Sequence, residues 1–130
     1  MIVGLGLDLI ETTRIAASLQ RFGLHFVHKL LHPEEIPGGF VLDADASPRT
    51  IQHIASRFAA KEAAVKALGT GFSLGICLHD VRVFSRPSGQ PFLSFHGKAF
   101  EQFTALGASH AHLTLTHSAS CAAAVVVLEG

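Results

Sequence analysis

Polar and apolar positions alternate from the first residues onward. Residues 2–10 read as a strand, with Val3, Leu5, Leu7 and Leu9 on one face and Ile2, Gly4, Gly6, Asp8 and Ile10 on the other. A carboxylate thus shares its face with two glycines, which leave open space beside it. Thr12 or Thr13 supplies a cap for the helix that follows. Ile15, Leu19, Phe22 and Phe26 then recur at helical spacing, with Arg14 and Arg21 on another side, and Gly23 bends or interrupts the helix. Pro33, Pro37, Gly38, Gly39 and Pro48 make residues 33–49 a loop. The strongest helical pattern runs over residues 50–68, with the stripe Ile51, Ile54, Phe58, Val65, Leu68 and a terminating Gly69. Strands are predicted at 81–84 and 92–95 around a hairpin-like loop at 85–90. A short helix at 98–106 closes on Gly107, and two strands follow at 112–116 and 122–128. Strands and helices mix without regular alternation, so the fold class is α+β, an antiparallel sheet packed on one long helix in a single domain.

Composition narrows the function classes. The chain has 130 residues, within the usual size of one domain, with 48% hydrophobic and 15% charged residues. A core forms readily, and apolar surface is left over for contacts between subunits. The formal net charge is zero, so no global field draws the protein to nucleic acid or membrane, and charged recognition falls to local patches. Cys77 and Cys121 form no CxxC pair and read as two small buried residues in a reducing compartment. No basic segment precedes the N-terminal apolar stretch. The longest apolar run, residues 121–128, is far short of the roughly 20 residues of a membrane helix. A cytoplasmic protein is expected.

Candidate chemistry centres on the long helix. Lys61 and Glu62 straddle the line of its apolar stripe, where another apolar residue is expected. Glu62 and Lys66, one turn apart, share a face with Phe58 and would serve as a surface ion pair. A carboxylate beside a buried stripe instead needs a partner, and a metal ion would do. Asp8 is either the frayed end of its strand or, if the helix crosses that strand, a second carboxylate for the same cation. Two carboxylates with few other ligands suit magnesium, whose remaining ligands come from water and substrate phosphates. A phosphate-bearing substrate follows, with Lys66 and Arg57 as donors to it. Gly4-Leu5-Gly6 lacks the third glycine of a dinucleotide fingerprint and is rejected. His25, His28 and His32 would share one side of a continuous helix at zinc-binding spacing, but no acidic residue completes the set. His117, at the end of a predicted strand, is placed where ligands are commonly contacted.

With these residues in hand, the chain resembles the holo-acyl-carrier-protein synthases, the short type of 4′-phosphopantetheinyl transferase. The resemblance spans all but residues 33–49. It is carried by Arg57-Phe58-Ala59-Ala60-Lys61-Glu62-Ala63-Ala64-Val65-Lys66-Ala67, by the following Leu68-Gly69-Thr70-Gly71, and by Gly4-Leu5-Gly6-Leu7-Asp8-Leu9-Ile10-Glu11 with Arg14-Ile15. Gly89-Gln90-Pro91 and Thr114-Leu115-Thr116-His117 agree as well. The resemblance implies a homotrimer with sites between subunits. It implies transfer of phosphopantetheine from coenzyme A to a serine of an acyl carrier protein in fatty acid biosynthesis, releasing adenosine 3′,5′-bisphosphate. Asp8 and Glu62 would hold magnesium, and Lys66 would contact the pyrophosphate. Arg57 and His117 would meet the nucleotide end, Gly69, Gly89 and Pro91 would line the coenzyme, and Arg14 and Arg21 would face the acidic carrier. A carboxylate, or a water it holds, would take the serine proton. Three departures stand out. Thr114 and Thr116 replace usual serines, Cys121 replaces a common aromatic residue, and residues 33–49 replace a more helical stretch. A non-catalytic trimeric binder and a metal-dependent hydrolase of a small phosphorylated metabolite are the alternatives.

Overall fold

The computed structural model describes residues 1–36 and 47–130. Its elements are β1 (Ile2–Glu11), α1 (Thr12–Phe22), α2 (Leu24–Leu30), α3 (Pro48–Leu68), β2 (Val81–Ser85), β3 (Pro91–Phe95), α4 (Gly97–Ala105), β4 (His110–His117) and β5 (Cys121–Glu129). Single 3-10 turns form at Pro33–Glu35 and Leu78–Asp80. One antiparallel sheet has the order β1-β5-β4 and the second pairs β2 with β3. The α+β class expected from the pattern is what the chain adopts.

The long helix is the organiser. Ile54, Val65, Leu68 and a run of alanines from Ala55 to Ala67 are buried, and α3 packs across β1 and β5. Small residues let the two backbones approach closely. The glycine face of β1 is therefore not open space, as the pattern suggested, but a seat for the helix. A methyl group on Gly6 would strike the Ala63 carbonyl, and one on Gly4 the Ala67 carbonyl. Such overpacking costs about 1–3 kcal/mol. The other face of β1 points outward, with Leu5, Leu7 and Leu9 at 66%, 61% and 66% exposure.

Several local expectations change. Ser47, not the predicted start at Thr50, caps α3: its hydroxyl accepts the Thr50 N–H, and Pro48 takes the first turn, where no N–H is needed. Residues 33–49 are not all loop, since both the turn at Pro33–Glu35 and the start of α3 fall within them; residues 37–46 lie outside the described residues. Neither threonine caps α1. Glu11 holds the cap position, while Thr12 Oγ1 donates to the Ala119 and Ser120 carbonyls and ties α1 to the turn before β5. Gly23, at φ 59°, breaks the helix and turns Phe22 out into solvent. The two cysteines are free, and Cys77 is exposed rather than buried. Among the described residues no helix is long and apolar enough to cross a membrane.

Candidate active site

The crossing of α3 over β1 brings two carboxylates together. Asp8 is no frayed end: it pairs with Ala124 inside the sheet. Glu62 lies within electrostatic reach of it. The Glu62 carboxyl is held above its usual range, first by burial and next by the Asp8 charge, while Lys66 and Arg14 pull it back. Lys66 does not make the expected ion pair with Glu62. Its Nζ donates to Asp8 Oδ1 at 3.1 Å and to the Leu7 carbonyl at 3.0 Å. This pair is open to solvent, with the lysine side chain 52% and the aspartate 15% exposed. The Arg14 guanidinium lies 5.5 Å over the Phe58 ring, one helical turn before Glu62. Asp8, Glu62, Lys66 and Arg14 thus form one charged cluster at the surface.

The opposite side of α3 lines a cleft of about 550 Å³, large enough for a nucleotide-sized ligand. Arg57, Gly89, Pro91 and His117 all border it. Arg57 Nη2 donates to Ser85 Oγ at 3.2 Å. Its Nε is buried and meets no acceptor among the described residues, so it is a donor in want of an anion. Gly89, at φ 91°, turns the chain between β2 and β3 and bares backbone at the rim. A second hollow, lined by Arg49, Gln52, His53, Ser56 and His117, adjoins the cleft through Ser56 and His117. Burial and the Arg57 charge push His53 down to about 4, so it is neutral at physiological pH.

The sequence-predicted residues therefore divide. Asp8, Glu62 and Lys66 meet at the β1 crossing, and Arg57, Gly89, Pro91 and His117 at the cleft. Gly69 joins neither group: it is the left-handed cap that ends α3. Arg21 stacks 5.1 Å over Phe22 on the α1 surface. His25 and His28 lie on α2, which ends at Leu30. His32 sits beyond it and its Nδ1 accepts the Glu34 N–H. Among the described residues no three His, Cys, Asp or Glu side chains form a metal-holding group. Ser56 and Ser85 are cleft residues that the sequence pattern does not reveal, because small polar residues leave no periodic trace. The buried partner of Lys61, Glu35, was also missed; the only hint was a lysine on an apolar line.

Asp8 and Glu62 nevertheless fit magnesium. The pair is a hard oxygen donor set whose like charges repel; burial first and the Asp8 charge second hold the Glu62 carboxyl up. A cation between them relieves that repulsion, and two protein ligands are enough for an ion that keeps waters and phosphate oxygens. Nothing in the cluster offers the nitrogen or sulfur ligands that zinc prefers.

Comparison with known proteins gives the family and the fold. Residues 4–125 match the family model of the 4′-phosphopantetheinyl transferase superfamily. A holo-[acyl-carrier-protein] synthase of Nitratidesulfovibrio vulgaris is 50% identical over 129 residues, covering 99% of each chain. The crystal structure of the Neisseria meningitidis holo-[acyl-carrier-protein] synthase superposes with a TM-score of 0.83 at 29% identity over the whole of both chains. That of the Bacillus anthracis synthase, in complex with coenzyme A (3′,5′-ADP), superposes with a TM-score of 0.75 at 32% identity, covering 98% of this chain and 96% of that one. With its two signatures on either side of one helix crossing and its whole length matched, the chain belongs to the 4′-phosphopantetheinyl transferase superfamily and, within it, to the holo-[acyl-carrier-protein] synthases.

Proposed function

We propose that this protein transfers 4′-phosphopantetheine from coenzyme A to a serine of an apo acyl carrier protein in fatty acid biosynthesis, with magnesium, in the cytoplasm. The observation that carries the reading is the Asp8–Glu62 carboxylate pair with Lys66 beside it, set on the same helix as a nucleotide-sized cleft lined by Arg57 and His117. Coenzyme A bound to the similar Bacillus anthracis protein supports the choice of substrate.

The division of labour follows from the two sides of α3. Arg57, through its orphaned Nε–H, and His117 hold the phosphorylated nucleotide end, and the backbone at Gly89 and Pro91 borders the adenosine. Lys66 exchanges its contact with Asp8 for one to the pyrophosphate. Asp8 and Glu62 would hold the magnesium ion, which supplies positive charge to the pyrophosphate and to the departing bisphosphate. A carboxylate of the pair, or a water it holds, takes the serine proton. The serine oxygen forms a new bond to phosphorus, the pyrophosphate P–O bond breaks, and adenosine 3′,5′-bisphosphate leaves. Positioning and charge stabilisation supply most of the rate.

The carrier surface is α1 and α2. Between Thr12 and Leu30 the chain carries Arg14, Arg21 and Lys29 and no acidic residue, which suits an acidic partner. The assembly proposed is a homotrimer. Exposed Leu5, Leu7 and Leu9 pair with Val127, Val125 and Ala123 across the outer sheet face, an apolar surface that further copies would cover.

Release of adenosine 3′,5′-bisphosphate from coenzyme A, measured with and without apo carrier protein, tests the reading. Release only with the carrier is expected. Release without it would identify a hydrolase, and coenzyme A binding with no release a pure binder.

A further inference from the structure

Lys61 is the largest fully buried side chain in the described residues, and the function above has no use for it. Its ammonium has three hydrogens and three acceptors: Glu35 Oε1 at 2.8 Å, the Leu78 carbonyl at 2.9 Å and the Val81 carbonyl. Glu35 accepts from two backbone groups besides Lys61. Its Oε1 also accepts the His32 N–H at 3.0 Å, and its Oε2 the Val83 N–H at 3.0 Å. Both side chains have zero exposure. With no free ammonium hydrogen on Lys61 and no exposure of either side chain, neither residue can meet a substrate.

The pair does occupy a strategic place. In the two-stranded sheet β2 has one unpaired edge, and exposed edges need cover. The Val81 carbonyl and Val83 N–H point along that free edge and are taken by Lys61 and Glu35. The next residue along the same edge is Ser85, which accepts from Arg57, and Arg57 stands one helical turn before Lys61 on α3. Two rungs thus join α3 directly to β2, Lys61 in the interior and Arg57 at the wall of the cleft, and Glu35, on the turn Pro33–Glu35, ties Lys61 to Val83 between them. Glu35 also favours the Arg57 charge against its burial.

We propose that the Lys61–Glu35 pair is a positioning device for the nucleotide cleft, holding the edge of β2 so that Arg57, Ser85 and the Gly89–Pro91 rim keep their spacing. This rests on the cleft being the coenzyme site. The charged cluster at Asp8 is anchored independently, through the contact of Gly4 and Gly6 with the backbone of α3. Loosening β2 therefore weakens coenzyme A binding while leaving the reacting groups in place. A merely structural role would not separate these effects.

The test is the double variant Lys61→Met/Glu35→Gln, which removes the strut without stranding a charge, while the amide oxygen introduced by Glu35→Gln keeps an acceptor for the Val83 N–H. Glu35→Asp is a milder second variant that keeps the charges and shortens the reach. Each is followed by thermal unfolding, by calorimetric binding of coenzyme A, and by turnover with apo carrier protein. The double variant should bind coenzyme A about tenfold or more weakly, with KM for coenzyme A raised in parallel. Its kcat should stay within about threefold of wild type, and KM for the carrier unchanged. Glu35→Asp should show a smaller shift in the same direction, and decides the matter if the double variant does not fold. Wild-type coenzyme A affinity in either folded variant would overturn the proposal, as would a loss confined to kcat. Failure of wild-type protein to bind coenzyme A would remove the cleft reading itself, and is distinguished by appearing without any substitution.

Discussion

Two lysines little more than one turn apart on α3 each pair with a carboxylate, and the pairs could hardly differ more. Lys61 with Glu35 is fully buried, all three ammonium hydrogens are taken, and both carboxylate oxygens are hydrogen-bonded. Lys66 with Asp8 is open to water, and its ammonium keeps a hydrogen in reserve after the Asp8 and Leu7 contacts. Burial penalises charge in proportion to the solvent removed, so a buried pair must be saturated and becomes fixed. An exposed pair is held weakly, with about 0–1 kcal/mol between its partners. It can exchange an internal contact for a phosphate. The same residue types on one helix thus serve as a strut and as a substrate hand.

The contrast breaks most visibly at the strut. Lys61→Met alone strands the Glu35 charge and should cost about 3–5 kcal/mol, read from denaturant unfolding. Next comes the open cluster. Glu62→Gln should abolish magnesium-dependent turnover, a loss of about 10²–10³-fold or more. It should leave the metal-free protein as stable as wild type or slightly more so, because the neutral amide escapes both the burial penalty and the Asp8 repulsion that raise the Glu62 carboxyl. Magnesium should raise the melting temperature of wild type but not of this variant. Near-normal activity in Glu62→Gln would remove the metal assignment. Lys66→Ala should lower turnover about 10–100-fold while changing unfolding free energy by no more than about 0.5 kcal/mol.

The smallest effect lies at His53. Its folded pKa, about 4, is below its ordinary value of 6.5, so the unfolded chain binds the proton first. Stability is complete above pH 6.5 and falls as the pH drops from 6.5 toward 4. Discounted for partial solvent access, the loss is about 1–2 kcal/mol. Urea midpoints of wild type and His53→Gln at pH 7 and pH 5 should differ in slope; parallel behaviour would contradict the buried neutral imidazole.

Much of the architecture was readable in the chain because periodicity reports local geometry. The strand at residues 2–10, the helix ending at Gly69, the hairpin and the two final strands all carry their own punctuation. The meaning of Gly4 and Gly6 was not readable, since only the packed helix shows that the missing side chains make room for backbone. Asp8 and Glu62 stood out as polar residues on packed faces, and the structure brings them into one cluster. Arg57 and Lys66 both read as phosphate donors in the sequence, and in the structure Arg57 lines the cleft while Lys66 reaches Asp8. Strand and helix patterns do not tell which side of a helix a later element will cover. Glu35 escaped notice because its partner lies on a distant element, and long-range pairing leaves no local signal.

The most direct test is the mass of a purified apo acyl carrier protein after incubation with this protein, coenzyme A and magnesium, beside a chelator control. The account predicts a gain of one phosphopantetheine group that the chelator prevents. An unchanged mass across several carrier proteins, or a gain indifferent to the chelator, would contradict it.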